Sequence, residues 1–363
     1  MIKILLEGMT NNKGGKESYI INCYDKFDKN KFDFTFLAYD EKIAYEEYLK
    51  DTGATIIHLP PRNKGLIQFR KSLDNVFSNN QYDVVWSHKT TLSSCEFLEI
   101  AKKHNIPLRI IHSHSSSNMG GKLTYILHQI NKLRLTKWAN VFFACSETAA
   151  QWFFGDGECE IIKNGIDVEK YRFNPSIREK IRKELRLDDC FVVGHVGRFG
   201  IEKNHKKLLD VFYEISKRDA SARLVLCGDG EERKNIEAQI KEKRLDDKVI
   251  LMGVINNVNE ILQAIDIIVM PSLFEGLPFA LLEAQAAGLK CVVSDTVSKE
   301  SDVLGWNTFI PLSSDDNRWA EAVIEQKTEA REMAADVIKS KGFDIFDCVE
   351  SVESIIETHI NKN

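Results

Sequence analysis

A repeated alternation of short apolar runs with longer amphipathic stretches is the feature that most constrains this chain. Such a rhythm argues for parallel sheets covered by helices, against an all-helical or an all-β protein. In the first half the strand candidates are IKILL, DFTFLAY, TIIHL, YDVVW, LRII and NVFFAC. In the second half CFVVGHV, ARLVLC, KVILM, DIIVM and KCVVS repeat the pattern. Two βα sheets are expected, joined near residues 165–190, where SIREKIRKELRLDD reads as a solvated helix. A length of 363 residues is too great for one ordinary core and suits two domains. With 43% hydrophobic and 28% charged residues, the chain is globular rather than disordered.

Charge is divided unevenly, with 23 basic against 20 acidic residues through Arg172 and 26 against 34 beyond it. That balance disfavours nucleic-acid binding, while the mildly basic first half suits the surface of an anionic membrane. The stretch GGKLTYILHQINKLRLTKW (120–138) carries Lys122, Lys132, Arg134 and Lys137 among apolar residues at helical spacing. A helix packed on its own sheet is the first expectation there, and a membrane-surface helix the second. No apolar run reaches the roughly 20 residues that span a bilayer, and MIKILLEGM has the length of a buried strand, not of a signal peptide. A cytoplasmic protein is expected, with peripheral association on the inner face of the membrane as an extension. The eight cysteines are scattered without a C-x-x-C pair and read as buried thiols.

The candidate chemistry begins at residues 271–288, PSLFEGLPFALLEAQAAG. Glu275 and Glu283 flank a breaker cluster, Gly276, Leu277 and Pro278, and Pro278 suits the first position of a helix running to Gly288. A helix start beside a flexible glycine, with one carboxylate before it and one inside it, fits a phosphorylated, hydroxyl-rich ligand. The same spacing also fits a plain strand-turn-helix unit whose acids face water. A second stretch, GHVGRFGIEKNH, places Arg198 at a strand end and Lys203 and Asn204 at the start of the next helix. A guanidinium and an ammonium at that separation suit a diphosphate. No P-loop glycine pattern and no Asp-x-Asp pair for a divalent ion is found, so protein cations would have to carry the diphosphate charge.

In the first half, Gly14 and Gly15 follow the first strand and let backbone approach a ligand, although no G-x-G-x-x-G is present. A further strand runs out into HSHSSSN, where His112 and His114 can each bond a sugar hydroxyl. Spacing by two also permits a metal, but no third ligand is evident nearby, and no metal site is expected. Asn164-Gly165 marks a turn, and Gly228 and Gly230 are expected to line a cleft.

These pieces together resemble the retaining glycosyltransferases of the GT-B fold, specifically glycosyltransferase family 4, and within it bacterial enzymes of capsular and exopolysaccharide synthesis. The resemblance rests on GRFGIEKN (197–204) and on E-x7-E (275–283), with the paired glycines, NGID (164–167) and HSHSSS (112–117) in support. It implies an α/β protein of two Rossmann-like domains facing each other across a cleft. Residues 1–170 would bind the acceptor, with the helix 345–363 packing back on them, and residues 171–344 would bind the donor. It further implies that Arg198 and Lys203 hold the donor diphosphate, in a loop with Gly197 and Asn204. Glu283 would bind the ribose, and Glu275 the transferred sugar with help from backbone at Gly276 and Leu277. The loop at Val254 and Ile255 would receive the base. His112, or else His114, would contact the sugar from the first domain, and Gly15 would share in binding the donor. The implied reaction moves a hexose or N-acetylhexosamine from a UDP-sugar to a lipid-linked or cell-surface glycan acceptor, with no required cofactor. A nucleotide-sugar-binding scaffold and a UDP-sugar 2-epimerase are the alternatives.

Overall fold

The computed structural model describes residues 1–362 apart from 13, 119, 276, 328–330, 332 and 333. The chain divides into two compact units, Met1–Gly165 with Ile345–Asn363, and Ile166–Asp344. The first holds seven strands: β1 (Ile2–Glu7), β2 (Phe32–Ala38), β3 (Thr55–His58), β4 (Val84–Lys89), β5 (Leu108–Ser113), β6 (Val141–Ala144) and β7 (Glu160–Ile161). Its sheet is parallel, in the order β3-β2-β1-β4-β5-β6-β7. The second holds β8 (Val192–Val196), β9 (Arg223–Cys227), β10 (Val249–Gly253), β11 (Ile267–Met270), β12 (Lys290–Ser294) and β13 (Asn307–Ile310). They are likewise parallel, in the order β10-β9-β8-β11-β12-β13. Each sheet starts at a central strand, builds outward to one side, then returns and builds to the other, which is the doubly wound, Rossmann-like order.

Helices cover both faces, so the strands are apolar on both sides. On one face of the first sheet Leu5, Leu37, Val85 and Ile111 pack with Phe69, Leu73 and Leu98 of crossing helices. On the other, Tyr24 of the helix Gly15–Lys26 meets Phe34 and Phe36 edge to face. In the second unit Val193, Leu224, Leu226, Ile267 and Val269 pack with Leu208, Phe212 and Trp319. Fully burying one such side chain contributes about 1.5–3 kcal/mol. The carboxyl-terminal helix Ile345–Asn361 joins the first unit, where Asp28 N–H donates to Glu353 (2.8 Å), Lys31 pairs with Glu357 (2.9 Å) and Lys26 lies over the Phe346 ring.

Every apolar run singled out in the sequence forms a strand. β7 and β13 add one edge strand to each sheet, and both are short and begin on polar residues, Glu160 and Asn307. The stretch SIREKIRKELRLDD differs from expectation. Its helix Pro175–Glu184 buries Ile181 and Arg182, and Arg178 and Arg182 both bond Asp266 at the foot of β11. It is a packed part of the second unit because its arginines supply the donors that the carboxyl end of the neighbouring helix Val258–Ala264 lacks, through the carbonyls of Gln263 and Ala264. Six of the eight cysteines are buried and none forms a disulfide. Among the described residues, no helix is long and apolar enough to cross a membrane.

Candidate functional site

In a doubly wound sheet, ligands bind beyond the carboxyl ends of the strands where the order reverses. In the second unit that point lies between β8 and β11, and the two most specific sequence stretches leave from these strands. Residues 197–204 follow β8 and residues 271–278 follow β11. The two loops are tied together. Asn204 Nδ2 donates to the Pro271 carbonyl (3.1 Å), Leu273 N–H donates to the Glu202 carbonyl (2.8 Å), and Lys203 Nζ lies 2.5 Å from Glu275 Oε1. Asn204 adopts the left-handed conformation, φ 55°, that asparagine tolerates and that turns the chain sharply into the helix His205–Arg218. Lys203 and Glu275 keep only 13% and 16% of their side-chain surface exposed. Arg198 is the more open cation, held by Glu202 at 3.0 Å and lying 3.7 Å from Glu231.

The expected cleft-lining glycines have a packing role in this region. Gly228 has φ +146°, and a Cβ there would stand 1.9 Å from the Gly197 carbonyl oxygen. Only glycine lets the loop after β9 approach the loop after β8 this closely. Gly197 in turn lies against the Lys203 side chain, 3.0 Å from Cε at its Cβ position.

Glu275 forms an isolated bridge with Val297, and its carbonyl accepts from Ser298 N–H (3.3 Å). The helix Phe279–Ala286 follows with no side chain capping it, and Pro278 occupies the cap position, one residue earlier than the sequence suggests. Leu277 packs with the small cluster around Ile166 and Leu282. Gly276 lies outside the described residues. In the loop after β10, Val254 is 70% exposed whereas Ile255 packs against the core, so the two expected base-binding residues differ in what they present.

Glu283 has a partner that sequence reasoning missed. The Tyr171 hydroxyl donates to its Oε1 at 2.8 Å. Tyr171 ends the short helix Val168–Tyr171, which Asp167 of the NGID turn caps by accepting from Lys170 N–H. The turn was legible, but the tyrosine 112 residues before Glu283 carried no local signal. Burial pushes the Glu283 carboxyl above the usual carboxylate range, and the Tyr171 hydrogen bond opposes that rise. A carboxyl whose folded pKa is raised contributes stability below its unfolded pKa that is lost as pH climbs through the folded value. Glu283→Gln is therefore expected to flatten that loss and to be the more stable protein at neutral pH, as read from denaturant midpoints across pH 4–8 (a range of roughly the ordinary carboxylate and histidine values).

In the first unit the reversal lies between β1 and β4. Gly14 caps and Gly15 begins the helix after β1, and the Gly15 Cβ position is open space. At the ends of β4 and β5, His88, His112 and His114 form a cluster that the sequence reading only half anticipated, because His88 comes from a different strand. His112 has no exposed surface, lies edge-on to Tyr19 and is stacked parallel to Trp86. Both of its ring nitrogens, His88 Nε2 and His114 Nδ1 are buried without a hydrogen-bond partner among the described residues. Burial pushes the His112 imidazole down to about 3, and those of His88 and His114 well below the ordinary value. Both ring nitrogens of His112 and the Nδ1 of His114 are thus buried, while the Nε2 of the half-buried His114 faces His88 Nδ1 at 2.9 Å. Beside the cluster, Glu7 is buried and accepts from Ser87 (2.6 Å) and Tyr39 (2.7 Å) while pairing with Lys89 (2.9 Å).

Two Rossmann-like units, with a cation-carboxylate loop pair at the switch point of the second, fit the class of glycosyltransferases of the GT-B fold. Comparison with known proteins agrees. Family profiles described as Glycosyltransferase Family 4 and as Glycosyl transferases group 1 match residues 13–170 and 177–341. The chain is 31% identical over 359 residues to the putative glycosyltransferase EpsF of Bacillus subtilis, covering 94% of this chain and 92% of that one. It is 27% identical over 310 residues to an Escherichia coli UDP-Gal:alpha-D-GlcNAc-diphosphoundecaprenol alpha-1,3-galactosyltransferase, covering 77% and 76%. Among solved structures, Anabaena HepE in complex with UDP superposes with a TM-score of 0.79 at 16% identity, covering 99% of this chain and all of that one. The chain belongs to glycosyltransferase family 4.

Proposed function

We propose that this enzyme moves a hexose or N-acetylhexosamine from a UDP-sugar to a lipid-linked or cell-surface glycan acceptor in polysaccharide or glycolipid synthesis, with retention at the anomeric carbon. The observation that carries the reading is the Lys203–Glu275 pair, which joins the two loops at the β8/β11 switch point. A diphosphate brought there meets Lys203 and, at the rim, Arg198. Glu275 then turns to hydroxyls of the sugar, assisted by backbone at Gly276 and Leu277. Glu283, oriented by Tyr171, takes the ribose hydroxyls. Gly197 and Asn204 shape the phosphate loop, and backbone at Val254 and Ile255 receives the base. Gly15 offers backbone from the acceptor-binding unit.

In the reaction the bond from the anomeric carbon to the diphosphate oxygen breaks, and its electron pair stays on that oxygen. Lys203 and Arg198 stabilise the developing charge, the place where fixed cations contribute most. The acceptor hydroxyl oxygen bonds to the face the nucleotide leaves and passes its proton to the departing phosphate. Protein cations perform at the diphosphate the charge neutralisation that a divalent ion would otherwise supply. The galactosyltransferase relative, named for a diphosphoundecaprenol-linked acceptor, and the UDP and UDP-glucose complexes of HepE support this choice of acceptor and donor class. The test is a thermal-shift screen of nucleotides and nucleotide sugars. UDP and one UDP-sugar should raise Tm by mass action, and no shift with any uridine nucleotide would contradict the reading.

The helix Lys122–Lys132 supports peripheral membrane association. Three of its apolar residues and the one that caps its carboxyl end do not pack inward as first expected: Leu123, Ile126, Ile130 and Leu133 are 69%, 52%, 43% and 84% exposed. They form one stripe at helical spacing, while His128 anchors the opposite side, stacked on Trp152. Lys122, Arg134 and Lys137 are exposed nearby, and an open groove of about 580 Å³ lies at the start of the helix, bordered by Asn118, Tyr125 and Ile126. An apolar stripe flanked by cations suits an anionic bilayer surface. Vesicles containing phosphatidylglycerol should sediment the protein, and Ile126→Glu with Leu133→Glu should abolish that. Equal sedimentation of the double variant would remove the helix from the account.

A further inference from the structure

We propose that His88, His112 and His114 form a binding site for a single divalent transition-metal ion of the zinc, cobalt or nickel type. His112 and His114 alternate by two on β5 and so project from one face of the sheet. His88 stands on β4, directly paired with His112 in the parallel register. The ring centroids of the three lie 5.3, 5.1 and 4.3 Å apart, and one nitrogen from each lies within 4.8 Å of the others. His88 Nδ1 and His114 Nε2 are already 2.9 Å apart. A tetrahedral ion bonded to imidazole at about 2.0–2.1 Å sets its ligand atoms about 3.3 Å apart. Small rotations of rings already facing one another close that difference.

The second observation is the set of orphaned nitrogens. Four ring nitrogens in this cluster are buried with no hydrogen-bond partner among the described residues. Each such group costs about 1–3 kcal/mol when left without a partner, and native proteins rarely gather several in one place. An ion held between the facing His88 Nδ1 and His114 Nε2 would take its third lone pair from His112 and so give a partner to one of the two orphaned nitrogens of that fully buried ring. A set of nitrogens without oxygen ligands selects zinc, cobalt, nickel or copper over magnesium or calcium. Three protein ligands leave a fourth position for water or another donor atom.

Of the two lysines beside the cluster, Lys16 is paired with Glu17 (3.3 Å) and Lys89 with Glu7 (2.9 Å), so each carries its own carboxylate. Tyr19 lies 5.9, 5.0 and 5.1 Å from His88, His112 and His114, and Trp86 lies 4.6 Å from His88, so aromatic walls hold the rings in place. The site belongs to the first unit and does not depend on the donor chemistry assigned to the second.

The experiment uses the full chain without an affinity tag. After chelation and dialysis, Co2+ is titrated in and followed by its visible absorption, then displaced with Zn2+. One equivalent should bind with the intense bands of a tetrahedral ion. His88→Gln, which keeps polarity and approximate volume, should lose those bands while circular dichroism and Tm show a folded protein. X-ray absorption of the zinc-loaded wild type reads the ligands without any variant, and three imidazoles are expected. Saturation at less than one ion per chain, one imidazole or none in the spectrum, or unchanged bands in folded His88→Gln would each overturn the proposal. Failure of nucleotide binding would leave it untouched.

Discussion

Replacing Lys203 by alanine is expected to lower turnover of the UDP-sugar by about 100- to 1,000-fold, the usual effect of removing one fixed group that stabilises transition-state charge. Lys203 is the cation best placed for that role because little of its side chain is exposed and its ammonium is held at 2.5 Å by Glu275. Arg198 is more open, with 45% of its side chain exposed, and its loss is expected to raise KM more than it lowers kcat. Removing Lys203 leaves Glu275 without its cation, so the fold must be checked alongside the kinetics. Asn204 and Leu273 still tie the loops together in the variant, through bonds that do not involve the lysine side chain. Unchanged turnover in a folded Lys203→Ala protein would remove the lysine from the mechanism.

Gly228→Ala is the second large expectation, and it acts through packing. The new methyl group would stand 1.9 Å from the Gly197 carbonyl oxygen, at a backbone conformation that alanine disfavours. Neither neighbour yields easily: Gly197 N–H bonds the Cys227 carbonyl (3.0 Å) and Gly228 N–H bonds that of Gly253 (2.9 Å). A loss of about 3 kcal/mol or more is expected, the range reserved for forced backbone and core defects. Nucleotide affinity should fall with it, since the displaced loop carries Arg198 and Lys203. Gly15→Ala supplies the contrast, because its Cβ would meet nothing within 4 Å. That change should leave the denaturation midpoint near wild type, and similar midpoints for the two variants would contradict the packing account.

The two sheets were legible because burial on both faces demands continuous apolar runs, and such runs survive as a pattern in the sequence. The loops 197–204 and 271–283 were legible for a different reason. Each concentrates a charge, a glycine and a helix start within a few residues, so most of its chemistry is local. What escaped depended on contacts between distant segments. Tyr171 meets Glu283 only after the NGID turn has set a short helix against a later one. His88 joins His112 only through strand pairing, so a search along the chain finds the second and third histidines without the first. The stripe on the helix Lys122–Lys132 carried the right period but not its direction, since helical spacing marks an apolar face without saying whether that face turns inward or outward.

The central claim is that the second unit binds a uridine nucleotide sugar so that Lys203, Arg198 and Glu275 act in its cleavage. It is tested most directly by measuring UDP release from a panel of UDP-sugars, with and without a polyprenyl-diphosphate-linked glycan acceptor, for the wild-type chain. Acceptor-dependent release of UDP from one sugar, with the product linkage in the donor's anomeric configuration, is the predicted result. Nucleotide-sugar binding with no release of UDP across donors and acceptors would contradict it and leave a binding scaffold in its place.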